Sequence, residues 1–325
     1  MLWDFHGLVV EGVWSDALIG ERWAATFASR PQAGNAARPD AVFRLELAED
    51  VPAAPQATPD FKQGDLLAYY ARGSRVTAHF PRFGQLTLDL SRAATDGLIT
   101  SAALATYGVF EDLIAIGLSP HFRRRGMFLI HAFAASPPVR LSQSGRGGAV
   151  LIVGDIGAGK TTTGLSLLHA GWKLLSNDSP ILRHGGELEV LSYPGLLSAY
   201  PDSLLRFPEL HCLVTTDELP PTNAERRKIT FAAERFYADV WIDRASPGAL
   251  VLPQIERRAD HTLEPLSKPE ALQLILPHAI EPWDQEMIPA HFALLRELIE
   301  VTPAFRLRLG PETSALSGAI ATVLA

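Results

Sequence analysis

The chain has 325 residues, of which 47% are hydrophobic and 20% charged, with a net charge of −7 at neutral pH. That is the balance of a globular protein with room for one large domain or two ordinary ones, and the acidic total argues against a nucleic-acid binder working through a broad basic surface. Cys212 is the only cysteine, which excludes an intrachain disulfide and a cysteine-based zinc site. The opening "MLWDFHGLVVEGVW" has no basic stretch ahead of an apolar segment, and no apolar run approaches the roughly 18 residues of a membrane span. The expectation is a cytoplasmic protein with neither a membrane nor a nucleic acid as partner.

In chain order, residues 1–47 hold short apolar segments, among them "AVFRLEL" (41–47), which alternates like a half-buried strand. "AEDVPAAPQATPD" (48–60) reads as a loop. "SRVTAHF" (74–80) and "GQLTLDL" (84–90) alternate about a turn holding Pro81 and Gly84, which predicts a hairpin. The apolar spacing of residues 99–118 predicts one helix, and the boundary between two domains is placed at its end, giving 1–118 and 119–325. Arg123 to Arg125 follow and are expected on a solvated or interface face.

The second half reads as a strand over 126–136, a hairpin over 139–153 turned by Ser144 to Gly148, and a helix "TTTGLSLLHA" closed by Gly171. Strands are predicted at "WKLLSN", "ELEVLSYP" (187–194), "ERRKITF" and "GALVLPQI" (248–255). Ser267 and Glu270 have capping-box spacing ahead of the helix in 267–276, and 291–301 and 312–325 also look helical. Strands with helices between them predict an α/β domain behind a smaller α+β N-terminal domain.

Gly154-Asp155-Ile156-Gly157-Ala158-Gly159-Lys160-Thr161 fits G-x-x-x-x-G-K-[ST] without a mismatch, between a predicted strand and a predicted helix. The pattern suits a nucleoside triphosphate. Glycines permit a tight wrap, successive backbone N–H groups then face the phosphates, and the helix start adds partial positive charge. Lys160 reaches the β- and γ-phosphates, and the Thr161 hydroxyl is a Mg²⁺ ligand. Thr162 continues the helix start, and Asp155 is expected to point to solvent. Asp178 follows the next strand, where a carboxylate can bind metal or take a proton from an acceptor hydroxyl; its plain alternative is a turn acid before Pro180. His131 ends the strand "GMFLI" and on its own residues reads as a core histidine. Lys228 and its neighbours Arg226 and Arg227 divide evenly between a phosphate-holding cation and a solvated strand edge.

"FLIHAFAAS", then "GAVLIVGDIGAGKTTTGLSLLHAGWKLLSND", resembles the C-terminal kinase domain of the HPr kinase/phosphorylase family, well over 126–183 and loosely elsewhere. The order of His, glycine loop and acid carries the resemblance, because the loop alone is shared by many families. It implies a nucleotide-binding core similar to that of phosphoenolpyruvate carboxykinase, and ATP- and Mg²⁺-dependent phosphorylation of a hydroxyl, often a serine of a protein or peptide. Carried over, Lys160 and Thr161 bind phosphate and metal, and His131 joins Asp178 in the active site. The family's acidic pair is here Asn177-Asp178, so one metal contact or the base is missing. The N-terminal part does not visibly match the family's regulatory domain. Two rivals stay open: a small-molecule kinase of the adenylylsulfate kinase type, and a nucleotide-binding sensor or scaffold without turnover. A homo-oligomer is also open.

Overall fold

The computed structural model describes residues 1–30, 32–34, 37–106, 108–138, 148–215, 227–256 and 260–324. They form a mixed α/β protein with several sheets, divided into two compact units, Met1–Met127 with Glu281–Pro289, and Phe128–Ile280 with Ala290–Ala325. A boundary at 118 would cut the helix Val109–Arg123, which runs through that point.

The first unit is built on an eight-stranded sheet. Leu8–Trp14, Ala41–Ala48 and Ala94–Thr100 pair in parallel at its centre. The predicted hairpin is there, with Arg75–Phe80 antiparallel to Gly84–Asp89. Alternation along Ala41–Ala48 buries Ala41, Phe43 and Leu45 on one face. The helix Val109–Arg123 lays Phe110, Leu113, Ile114, Leu118 and Phe122 into the core. Gly117 permits the approach, since a Cβ there would stand 2.4 Å from the Phe43 ring.

The single helix expected over 99–118 is instead a strand ending at Thr100 and two helices, Ser101–Ala105 and Val109–Arg123. Gly108, at φ +75°, sets the break. Apolar spacing alone could not separate Leu98 and Ile99, which are paired in the sheet, from the helix after them. Of the solvated or interface face expected for Arg123–Arg125, the solvated reading fails for Arg123. Arg123 is 3% exposed, and its Nε donates to Asp284 Oδ2 at 2.7 Å. Arg124 donates to both oxygens of Asp284, and only Arg125 lies open, paired with Asp40. The partner Asp284 is too distant in sequence for local spacing to reveal.

The second unit is built on a six-stranded sheet, in the spatial order Lys173–Ser176, Ala132–Ser136, Ala149–Val153, Pro247–Ile255, Ala304–Leu309, Thr262–Pro265. Ala149–Val153 is fully buried between Ala132–Ser136, its antiparallel partner, and Pro247–Ile255, its parallel one. The strand expected over 126–136 is split into Met127–Leu129 and Ala132–Ser136. Between them the N–H groups leave the ladder: Ile130 donates to Pro180 O and His131 to His278 O. The first arm of the hairpin expected over 139–153 lies outside the described residues. The helix Lys160–His169 packs Leu165, Leu167 and Leu168 against Phe133, Val150, Ile152 and Leu174. Gly164 lets it lie flat, because a Cβ there would meet the Phe133 ring at 2.4 Å. Truncating a buried ring such as Phe133 costs about 3–5 kcal/mol. The capping box of Ser267 and Glu270 opens the helix Lys268–Ile275. The helix expected over 312–325 is confined to Leu316–Ala321 and a short turn, Thr322–Leu324. Among the described residues no helix is long and apolar enough to cross a membrane.

Candidate functional site

The site grows from the end of the buried strand Ala149–Val153. Its apolar residues fix the strand in the sheet, and the chain then turns through 154–159 into the helix Lys160–His169. Gly157 and Gly159 sit at φ +83° and +107°, a region that L side chains rarely adopt. Gly159 is also the helix N-cap, and a Cβ there would stand 2.4 Å from Leu309 Cδ1. The first turn therefore opens on unpaired backbone N–H groups, which favour an anion. Asp155 and Ile156 form the outer lip, with the Asp155 side chain 93% exposed and Ile156 89% exposed. Gly154 and Ala158 line the inner turn, where Ala158 N donates to Asp155 O.

Lys160 folds back over the loop. Its Nζ donates to Gly154 O and to Asp155 O, the latter at 3.1 Å. Burial lowers its pKa, Asp178 and Asp155 pull it up, and Lys228 pushes it down. Lys160, Asp155, Asp178 and Lys228 thus share one electrostatic neighbourhood. Lys228 stands just before the short strand Ile229–Phe231, with Nζ 5.5 Å from the centre of the Tyr200 ring. Thr161 is half-buried in the first helical turn. Beside it the Thr162 hydroxyl is 3.1 Å from that of Ser203.

The break between Met127–Leu129 and Ala132–Ser136 brings His131 to Asp178. Ala132 N donates to Asp178 O and Ile130 N to Pro180 O, so the two backbones are fastened on both sides of the histidine. His131 Nδ1 then lies 3.2 Å from Asp178 Oδ1, with the side chains 40% and 46% exposed. That exposure leaves both reachable by a ligand. The Ser176 hydroxyl accepts from the N–H groups of Asp178 and Ser179 and holds the turn. Asn177 is turned elsewhere: its Nδ2 donates to Leu196 O at 3.0 Å. Asn177 is a strut between loops.

Sequence reasoning missed His278. It lies in the turn Leu276–His278 after the helix Lys268–Ile275, and nothing in "LPHAI" marks it. Its ring is near parallel to that of His131, at 26° and 6.2 Å between centres. Its Nε2 is 3.7 Å from Asp155 Oδ1. Arg226 lies outside the described residues. Arg227 is exposed.

The residues define a class of site, a strand, glycine turn and helix flanked by a histidine–carboxylate pair and a second lysine. No family model matches the chain, and no curated protein matches it. Among solved structures, the chain is similar to the HPr(Ser) kinase/phosphatase from Coxiella burnetii, at 14% identity and a TM-score of 0.30, over 60% of this chain and 87% of that one. With so partial a superposition, the chemistry has to be read from this chain's own residues.

Proposed function

We propose that this protein is an ATP-dependent phosphotransferase of the HPr kinase-like kind. It moves the γ-phosphoryl group to a hydroxyl, that of a serine in a protein or peptide. The observation that carries the reading is the placement of Lys160, at the start of a helix behind a glycine turn, in the field of Asp178, which is itself paired with His131.

The parts fit that chemistry. Backbone N–H groups of the loop and Lys160 hold the phosphates, and Lys228 adds positive charge beside them. Mg²⁺ would be held by the Thr161 hydroxyl, and when bound it supplies charge neutralisation on the phosphates. Among the described residues no group of three or more His, Cys, Asp and Glu forms a cage for a cation. That suits an ion taking most of its ligands from phosphate and water. The acceptor oxygen attacks the γ-phosphorus, the bond to the β-phosphate oxygen breaks, and the hydroxyl proton passes to Asp178, steadied by His131. Most of the catalysis is positioning and electrostatics. The first unit, on this reading, recruits the acceptor.

Incubating the purified protein with γ-labelled ATP, Mg²⁺ and serine-containing peptides tests the proposal. Label on a peptide serine is the expected result. Label on a metabolite instead points to a small-molecule kinase. Nucleotide binding with no transfer to any acceptor points to a sensor, and no nucleotide binding at all overturns the proposal.

A further inference from the structure

Tyr200 and Lys228 face each other at the end of a short ladder. Leu197–Ala199 and Ile229–Phe231 pair antiparallel with Ala199 opposite Ile229, so the next position along each strand sets Tyr200 opposite Lys228. The Lys228 Nζ lies over the Tyr200 ring, 5.5 Å from its centre, within reach of a cation–π contact. Both side chains are half-buried. The ladder is firmly mounted on the helix that follows the phosphate loop. Leu197, Ala199 and Phe231 are buried in one core with Leu165, Leu167 and Leu168 of that helix. Ser203, in the turn of helix that Tyr200 opens, has its hydroxyl 3.1 Å from that of Thr162, in the first turn after the loop.

We infer that Tyr200 is a positioning residue whose ring face holds the Lys228 ammonium beside the phosphate loop, preset for the polyphosphate of a nucleoside triphosphate. The inference rests on the function proposed above. A lysine ammonium is a strongly hydrated charge on a flexible stem, and without a fixed neighbour it swings into water. Lys160 gives it a further reason to leave. Burial lowers the Lys160 pKa, Asp178 raises it and Lys228 lowers it again, so the two ammonium groups oppose each other before a ligand arrives. The negative face of the ring offsets that repulsion without accepting a hydrogen bond from the ammonium. An arriving polyphosphate then meets a cation already in place, at a smaller cost in ordering.

A double-mutant cycle on the full chain tests this, with Mg·ATP binding measured by calorimetry. Tyr200→Leu should weaken binding about two- to fivefold. Tyr200→Phe keeps the ring face and should stay within about twofold of the parent, a rescue that general loosening of the ladder would not give. Lys228→Met alone should weaken binding about tenfold. In that background Tyr200→Leu should have no further effect, because no cation is left to hold. Circular dichroism checks folding, and Tyr200→Met replaces Tyr200→Leu if the latter does not fold. No loss with Tyr200→Leu, an equal loss with Tyr200→Phe, or the same loss in the Lys228→Met background overturns the inference while leaving the nucleotide reading intact. A parent protein that binds no ATP overturns both.

Discussion

Arg123 and Asp284 of the first unit are each 3% exposed and meet at 2.7 Å, whereas His131 and Asp178 of the second are 40% and 46% exposed and meet at 3.2 Å. Both are pairs of opposite polarity between residues far apart in sequence. In the first, Arg123 and Arg124 give one carboxylate three hydrogen bonds, and the Arg123 guanidinium also lies 5.1 Å from the centre of the Trp283 ring. Burial closes Asp284 to a ligand, and the cluster fastens the segment 281–289 to its unit. In the second, two carboxylates, two histidines and two lysines share half-open space at longer distances. Charge that is closed and paired serves the fold, and charge that is open and loosely paired can serve chemistry.

The sharpest break of that contrast is expected in the buried cluster. Asp284→Ala removes the carboxylate to which the buried Arg123 is hydrogen-bonded and should cost about 3–5 kcal/mol in urea unfolding of the first unit, with Mg·ATP affinity unchanged in the folded protein. A loss below about 1 kcal/mol would mean that the cluster is not structural. The next effect is one of pH. Burial, reinforced by Arg124 and Arg123, lowers the His121 pKa to about 4. The unfolded chain then takes up a proton first, near pH 6.5, so stability is full above that pH and falls as pH drops toward 4. The fall is about 3 kcal/mol, and His121→Gln should flatten it in unfolding curves taken at several pH values.

The open cluster should respond in binding rather than in stability. Lys160→Met removes a charge-assisted contact to phosphate and should weaken Mg·ATP about 10- to 100-fold in calorimetry, with the unfolding midpoint little changed. The smallest effect concerns the strut. Asn177→Ala loses one neutral hydrogen bond, to Leu196 O, about 1 kcal/mol in urea unfolding, with transfer kept within about threefold. Asn177→Asp sets a carboxylate against that carbonyl and should lose stability without gaining rate.

The two clusters also differ in how far the sequence reveals them. The glycine turn is one contiguous run with a strand before it and a helix after it, so Gly154 to Thr161 could be read directly. His131 and Asp178 became readable through their order around that run. Arg123 to Arg125 carry no such marker, since their exposure is decided by Asp284 and Asp40, remote in sequence. His278 was hidden for the same reason, being brought in by a backbone bond to His131. The helix break at Gly108 was missed because apolar spacing is continuous there and only the φ of +75° gives it away.

The central claim is that the accessible His131–Asp178 pair handles the acceptor's proton while Lys160 and the loop hold phosphate. Its most direct test is single-turnover phosphoryl transfer from γ-labelled ATP by the parent and by Asp178→Asn, at saturating nucleotide with folding checked by circular dichroism. The substitution nearly preserves shape, so the protein should fold and bind ATP while transfer slows about 10²- to 10⁴-fold, or roughly 3–5 kcal/mol of barrier. Transfer at the parent rate would contradict the account and return Asp178 to the status of a turn residue before Pro180.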